Sequence, residues 1–247
     1  MTSSSVTIHP PADPDREAHA VAAENVYRFF RSGEEETLAL RGVSLHVDAG
    51  EFVVVAGPSG SGKSTLLACL TGMDEPSGGT VRIAGERINY RSQRDRDRIR
   101  ARYVGVMAQS GNLFSHLRVG NNLRLAAHLA RTGRHTTLAA NDEAGRSWSA
   151  TAARLGIEGR LDAWPEQLSG GESARAALAV ALTGAPLVLV ADEPTGELDA
   201  DTEASLIELL RSVARQGVAV IVASHSDAVA AGADRVVRLD DGQVVGR

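Results

Sequence analysis

The run EFVVVAGPSGSGKSTLLACLTGM, residues 51–73, restricts the fold more than any other part of the chain. Its apolar residues Phe52 to Val55 are uninterrupted, and a glycine-rich loop and a helical pattern follow directly. A strand without a polar face is one covered by helices on both sides, which points to a parallel sheet in an α/β protein. PLVLVAD, ending at Asp192, and VAVIVAS, ending at Ser224, repeat that signature. Helical patterns alternate with these runs. In DTEASLIELLRSVARQG, from Asp201, the residues Leu206, Ile207, Leu210, Val213 and Ala214 recur at three- and four-residue intervals, and Gly217 is placed to cap the helix.

A second period marks other segments. LRGVSLHVD, residues 40–48, puts Val43, Leu45 and Val47 on one face, and GTVRIAG does the same with Val81 and Ile83. Alternation of this kind predicts half-buried strands, hence a small antiparallel sheet apart from the parallel one. Residues from about 111 to 172 carry no buried-strand run and read as a mostly helical subdomain inserted in the core. Within it, RTGRHTTLAANDEAGRSWSA, residues 131–150, has no apolar period and reads as a flexible loop. Residues 1–22 have neither an early basic cluster nor an apolar stretch, so they read as a disordered lead-in to a domain spanning 23–247.

Composition removes several function classes. A net charge of −5 offers no general field for nucleic acid, so any anion must be captured by local geometry. RSQRDRDRIRAR, residues 91–102, is interrupted by Asp95 and Asp97 and has no aromatic residue for base stacking. It reads as a solvated, ion-paired face, with contact to a protein partner as the other reading. Cys69 stands alone, which excludes an internal disulfide and suits a small core residue. The most apolar window, AALAVALTGAPLVLVA from Ala176, is short of a membrane span and is split by Gly184 and Pro186.

The loop after the first buried run matches G-x-x-x-x-G-K-[ST] through Gly57, Gly62, Lys63 and Ser64, and the strand before it and helix after it are the context that this P-loop pattern requires. Glycines let consecutive backbone N–H groups face one concavity, the helix N-terminus adds partial positive charge, and Lys63 adds a full one. Ser64 is positioned to ligate Mg²⁺ through its hydroxyl. This cradle alone leaves kinases, GTPases, helicases and transport ATPases open. Asp192 and Glu193 follow a buried strand at its C-terminal end, where ligands of open α/β sheets gather. Of such a pair, one carboxylate holds the metal shell and the other orients and deprotonates a water, here Asp192 and Glu193 respectively. Pro194 biases Glu193 towards an extended backbone. Gln109 and His225 close two further apolar runs, each with either a structural or a phosphate-facing part to play.

LSGGE, residues 168–172, resembles the signature motif of ATP-binding cassette (ABC) ATPases. Its small residues lead into a helix, so a second anion-ready helix N-terminus lies in the same chain. The resemblance extends over roughly residues 24–247 and orders the other motifs: Gln109 as Q-loop, Asp192 and Glu193 as the Walker B pair, Glu197 to Asp199 as D-loop and His225 as switch histidine. It implies a P-loop NTPase, RecA-like core with a mostly parallel sheet, the small antiparallel β subdomain and the inserted helical subdomain. It also implies catalysis by Glu193, His225, Lys63 and Gln109, and a metal shell of Ser64, Gln109 and Asp192. ATP would be held by Gly57, Pro58, Ser59, Gly60, Ser61, Gly62, Lys63, Ser64 and Thr65, with Asp199 beside it. Ser169, Gly170, Gly171 and Glu172 would reach the nucleotide from a second copy of the chain. An aromatic residue ahead of the P-loop stacks on adenine in this family, and the alignment gives Phe30, with Tyr27 and Phe29 as competitors.

ADEPTGELD and the spacing of FRSGEEETLALRGVSL look like the cassettes that serve lipoprotein release, macrolide export and a cell-division pair. The implied cofactors are ATP and Mg²⁺. The implied partners are a second copy and a separate integral membrane permease with few spans and a large external domain, on the cytoplasmic face of the membrane and without nucleic acid. A soluble cassette in translation or DNA repair, or one regulating a cell-wall enzyme through a permease that does not transport, are the alternatives. Ser173 departs from the family, which usually has Gln there, and weaker ribose contact is expected from it.

Overall fold

The computed structural model of the 247-residue chain describes residues 19–32, 35–133 and 143–245. Two sheets organise them. Strands β1 (Val21–Ser32), β2 (Glu35–Val47), β4 (Gly78–Ile83) and β5 (Glu86–Arg87) form an antiparallel sheet in the order β2-β1-β4-β5. Strands β3 (Phe52–Ala56), β6 (Val104–Met107), β7 (Val188–Asp192), β8 (Ala219–Ser224), β9 (Arg235–Asp240) and β10 (Gln243–Val245) form the other in the order β10-β9-β3-β8-β7-β6. Its pairings are parallel except β9 with β10.

The uninterrupted apolar runs are explained by two cores, one on each face of the parallel sheet. Side chains alternate across a strand. Val53 and Val55 of β3 therefore enter one core while Phe52 and Val54 enter the other. Ile221 with Val222 of β8, and Val190 with Leu189 of β7, divide in the same way. The first core is closed by helix α1 (Lys63–Thr71), through Leu66, Leu67, Cys69 and Leu70, and by the inner faces of β1 and β2, with Val26, Leu40 and Val43. The second is closed by α5 (Gly170–Leu182) and α6 (Ala200–Arg215). All five periodic residues named for α6 are buried there, and Gly217, at φ 93°, donates its N–H to the Ala214 carbonyl as the helix ends.

Helix α2 (Gln93–Tyr103) carries the arginine-rich stretch. Ser92 caps it, Ile99 is its one buried residue, and Arg96 pairs with Glu75, Arg98 with Asp95 and Arg100 with Asp97. The expected ion-paired face is what forms.

Two expectations need revision. Of the flexible loop expected over residues 131–150, residues 131–133 belong to helix α3 (Val119–Gly133) and residues 143–150 to helix α4 (Glu143–Arg154). Trp148, Ala152 and Leu155, at intervals of four and three, pack against the second core with Val119 and Leu123 of α3. Among residues 143–150 only Trp148 is a large apolar side chain, so the sequence shows no apolar period there. The rest of the expected loop, residues 134–142, lies outside the described residues. At the other end, residues 1–18 of the expected lead-in also lie outside them, whereas Ala20 and Val21 are already packed in the first core and β1 begins at Val21. Strand pairing of Val21 with Val47 and Ile83 holds that start in place.

Candidate functional site

The glycine loop is shaped by what surrounds it. A Cβ on Gly57 would stand 2.1 Å from the Leu239 carbonyl oxygen of β9, so no side chain fits there. Gly62 caps α1 at φ 100°, a left-handed conformation, and a Cβ on it would lie 2.6 Å from the Ala39 carbonyl oxygen. The first turn of α1 contains neither a capping side chain nor an acidic residue, so its free N–H groups and positive end face outward unopposed. Lys63 is only 8% exposed and its Nζ donates to the carbonyls of Gly57 (2.8 Å) and Pro58 (3.0 Å). A lysine ammonium has three protons, so one remains for an anion.

Over this loop opens a cavity of about 710 Å³. Its wall brings Lys63, Ser64 and Thr65 together with Gln109, Glu193 and His225, from four separate segments. The strand order accounts for the convergence: β3, β8, β7 and β6 are neighbours and parallel, so their C-terminal ends open on one edge.

Glu193 departs from the extended backbone expected ahead of Pro194. Its φ is +46°, in the left-handed region. The N–H of Glu193 donates to Ala223 at the end of β8 (2.9 Å), and its carbonyl accepts from Gly196 (3.2 Å). These two bonds outweigh the local bias of the proline, and a non-glycine residue held there stores strain of the kind that collects at functional positions. The carboxylate that results is 15% exposed, with Oε2 at 3.0 Å from Nδ1 of His225 and 3.4 Å from the donating Ser224 hydroxyl. An ionised carboxylate only accepts, so in this pair the imidazole proton belongs on Nδ1.

Beside it, Oδ1 of Asp192 is buried without a hydrogen-bond partner among the described residues. A buried carboxylate oxygen in that state fits a cation. No group of three or more His, Cys, Asp and Glu side chains among the described residues forms a complete metal cage. Mg²⁺ is held by one or two protein oxygens plus phosphates and water, and the unpartnered Asp192 oxygen fits that demand. Gln109 is exposed just past β6, and its turn is closed by Asn112, whose side chain accepts from the Ala108 N–H (2.7 Å) and donates to the Ala108 carbonyl (2.6 Å). Asn112 and Ala39 were not singled out by sequence; an asparagine after a glycine in SGN is a turn signal, but its target cannot be read from it.

The second helix tip lies elsewhere. Ser169, Gly170, Gly171 and Glu172 do not line the cavity. Ser169 caps α5 in a capping box: its hydroxyl accepts from the Glu172 N–H (3.3 Å) while Glu172 Oε2 accepts from the Ser169 N–H (2.9 Å). Asp199 caps α6, accepting from the Thr202 N–H (3.0 Å) and hydroxyl (2.6 Å), and these bonds hold its carboxyl below the usual range. A Cβ on Gly171 would meet Thr202 Cγ2 at 2.6 Å, so the tips of α5 and α6 touch.

Tyr27, Phe29 and Phe30 are 40, 41 and 42% exposed, so burial does not separate them. Phe30 differs in carrying the Arg28 guanidinium 4.5 Å over its ring, Arg28 being clamped by both oxygens of Asp74 (2.7 and 2.8 Å). Tyr27 instead lies over Gly42, where a Cβ would come within 2.9 Å of its hydroxyl.

Comparison with known proteins agrees with this geometry. The family model described as ABC transporter matches residues 40–196. Macrolide export ATP-binding/permease protein MacB 1 of Yersinia pestis bv. Antiqua (strain Antiqua) is 36% identical over 222 residues, 90% of this chain and 33% of that protein. MacB of Chlorobium luteolum (strain DSM 273 / BCRC 81028 / 2530) is 38% identical over 224 residues, 90% of this chain and 32% of the relative. The chain thus spans about a third of the length of these curated relatives. Among solved structures, the dimeric structure of MJ0796, a bacterial ABC transporter cassette, superposes with a TM-score of 0.82 at 32% identity, covering 92% of this chain and 97% of that one. The post-hydrolysis state of the same cassette, bound to ADP and Pi, gives 0.81 with the same identity and coverage.

Proposed function

The chain belongs to the ABC transporter family, and from that premise we propose that it binds and hydrolyses ATP, closing with a second copy around two Mg-ATP to drive a membrane permease. The observation that carries this reading is the meeting of Lys63 and Ser64 with the Glu193–His225 pair and Gln109 on one cavity wall.

The loop from Gly57 to Thr65 cradles the β- and γ-phosphates with backbone N–H groups, and Lys63 turns its free proton towards them. Ser64, Gln109 and Asp192 would hold Mg²⁺, which when bound neutralises charge shared between the β- and γ-phosphates. Glu193 orients a water and takes its proton as the oxygen attacks the γ-phosphorus; the bond to the bridging oxygen breaks and ADP and phosphate leave. His225 holds the Glu193 carboxylate in line. Phe30 supplies the adenine platform.

One chain has a cradle and, apart from it, a second anion-ready tip at Ser169 to Glu172. Two copies arranged head to tail use both, so ATP acts as the link and its hydrolysis releases it. The MJ0796 cassette is dimeric in its solved structure, and MacB is named as an ATP-binding/permease protein; both support the reading. Among the described residues no helix is long and apolar enough to cross a membrane. The permease, of the few-span type with a large external domain, would hold the cassette, from about residue 20 onward, at the cytoplasmic face.

Glu193→Gln is expected to lower phosphate release by at least about a hundredfold while keeping ATP binding and yielding a stable ATP-dependent dimer. Steady turnover in that variant, followed by phosphate assay, would remove Glu193 as the base.

A further inference from the structure

We infer that Arg160 is a positioning residue for the second helix tip: it cancels the Glu172 carboxylate so that α5 can receive a phosphate. This rests on the head-to-tail reading above and deepens it.

A helix N-terminus attracts anions through its unpaired N–H groups and a partial charge of roughly half a unit. At α1 nothing acidic opposes that charge, but at α5 a full carboxylate stands in the first turn. Left alone, Glu172 would more than offset the positive end and repel the γ-phosphate that Ser169 and Gly171 are to meet. Both of its oxygens are occupied. Oε2 accepts from the Ser169 N–H at 2.9 Å, and Oε1 accepts from Nε of Arg160 at 2.7 Å. The Ser169 N–H first, and Arg160 after it, keep the Glu172 carboxyl below the usual carboxylate range, so the group is ionised at neutral pH.

Arg160 comes from a separate short turn, residues 158–160, held independently of α5. Its N–H donates to Ile157 (3.0 Å) and its carbonyl accepts from Ala163 (3.0 Å), and Ile157 is fully buried in the second core. The guanidinium is therefore delivered to the tip by the core rather than by α5 itself. With it, the first turn of α5 keeps a two-sided cap for its backbone and presents no net negative charge.

The test uses the full chain in the Glu193→Gln background, titrated with Mg-ATP, with the dimer fraction read by sedimentation velocity. Arg160→Gln is expected to raise the ATP concentration for half-maximal dimer by roughly ten- to hundredfold, the scale of one uncompensated charge near a phosphate. Arg160→Lys keeps the charge and should stay within about fivefold. Arg160→Gln combined with Glu172→Gln should return to within about threefold of the parent, because Gln preserves the capping box without the charge. Binding of a fluorescent ATP analogue to the monomer, a measure of the cradle alone, should be unchanged in Arg160→Gln and Arg160→Lys, which separates the effect from misfolding. Unchanged dimerisation in Arg160→Gln overturns the inference, and so does failure of the double variant to recover. A parent that stays monomeric with ATP overturns the head-to-tail reading and this inference with it.

Discussion

The N-terminal tips of α1 and α5 are built for the same kind of ligand by opposite means. At α1 the backbone is bare: glycines stand where a Cβ would strike a carbonyl, no side chain caps the helix, and Lys63 supplies the only charge of the first turn. At α5 the backbone is dressed: Ser169 and Glu172 cap one another and Arg160 answers the carboxylate. The bare tip is hemmed in by fixed backbone, the dressed tip by side chains alone. A Cβ on Gly57 would stand 2.1 Å from the Leu239 oxygen, whereas at α5 one on Gly171 would meet the Thr202 side chain at 2.6 Å and one on Gly170 nothing nearer than Leu198 Cδ2 at 3.4 Å. Backbone crowding therefore demands glycine at position 57, while position 170 has room for a methyl group.

The sharpest way to break this contrast is to add a methyl group at each tip. Gly57→Ala should cost about 3 kcal/mol in stability, at the upper end of overpacking penalties, and abolish nucleotide binding measured by calorimetry. Gly170→Ala should leave the monomer within about 0.5 kcal/mol of wild type by chemical denaturation, and show a defect only in ATP-dependent dimerisation. Equal stability losses would erase the distinction. A smaller effect sharpens it: Ser169→Ala removes one side of the capping box and should cost about 1 kcal/mol, with no counterpart at Gly62, where no side chain caps.

The smallest expected effect is one of pH. Glu172 and Asp199 are both held below their ordinary values, so whatever stability they lend is fully present above those ordinary values and is lost as pH falls through the depressed ones. Thermal melts of wild type and Glu172→Gln should therefore differ most near neutrality and converge in acid. A gap that widened in acid would contradict the sign. The α1 tip has no such group in its first turn, so its contribution should not follow that profile.

Legibility follows the same division. Val53 and Val55 against Phe52 and Val54 needed only strand alternation to be read, since each neighbour is buried in a different core. Residues 143–150 were not readable as a helix, because Trp148 is the one large apolar residue among them and its packing depends on the second core being alongside. The motif residues of the cavity were legible singly; their convergence required β3, β8, β7 and β6 to be adjacent. The left-handed Glu193 ran against the local signal of Pro194, and a bond to Ala223, thirty residues on, decided it.

What the sequence determined by itself is chemistry set by close neighbours: the glycine cradle, the run of carboxylates, the Ser169–Glu172 capping box, and the strand and helix periods that imply an α/β core. Each depends on residues a few positions apart, whose geometry the backbone dictates locally. Tertiary structure decided which of these face one another. Leu239 against Gly57, Arg160 against Glu172 and Ala223 against Glu193 join residues 12 to 182 positions apart. No local rule contains such distances, because they are set when two cores close on opposite faces of one sheet.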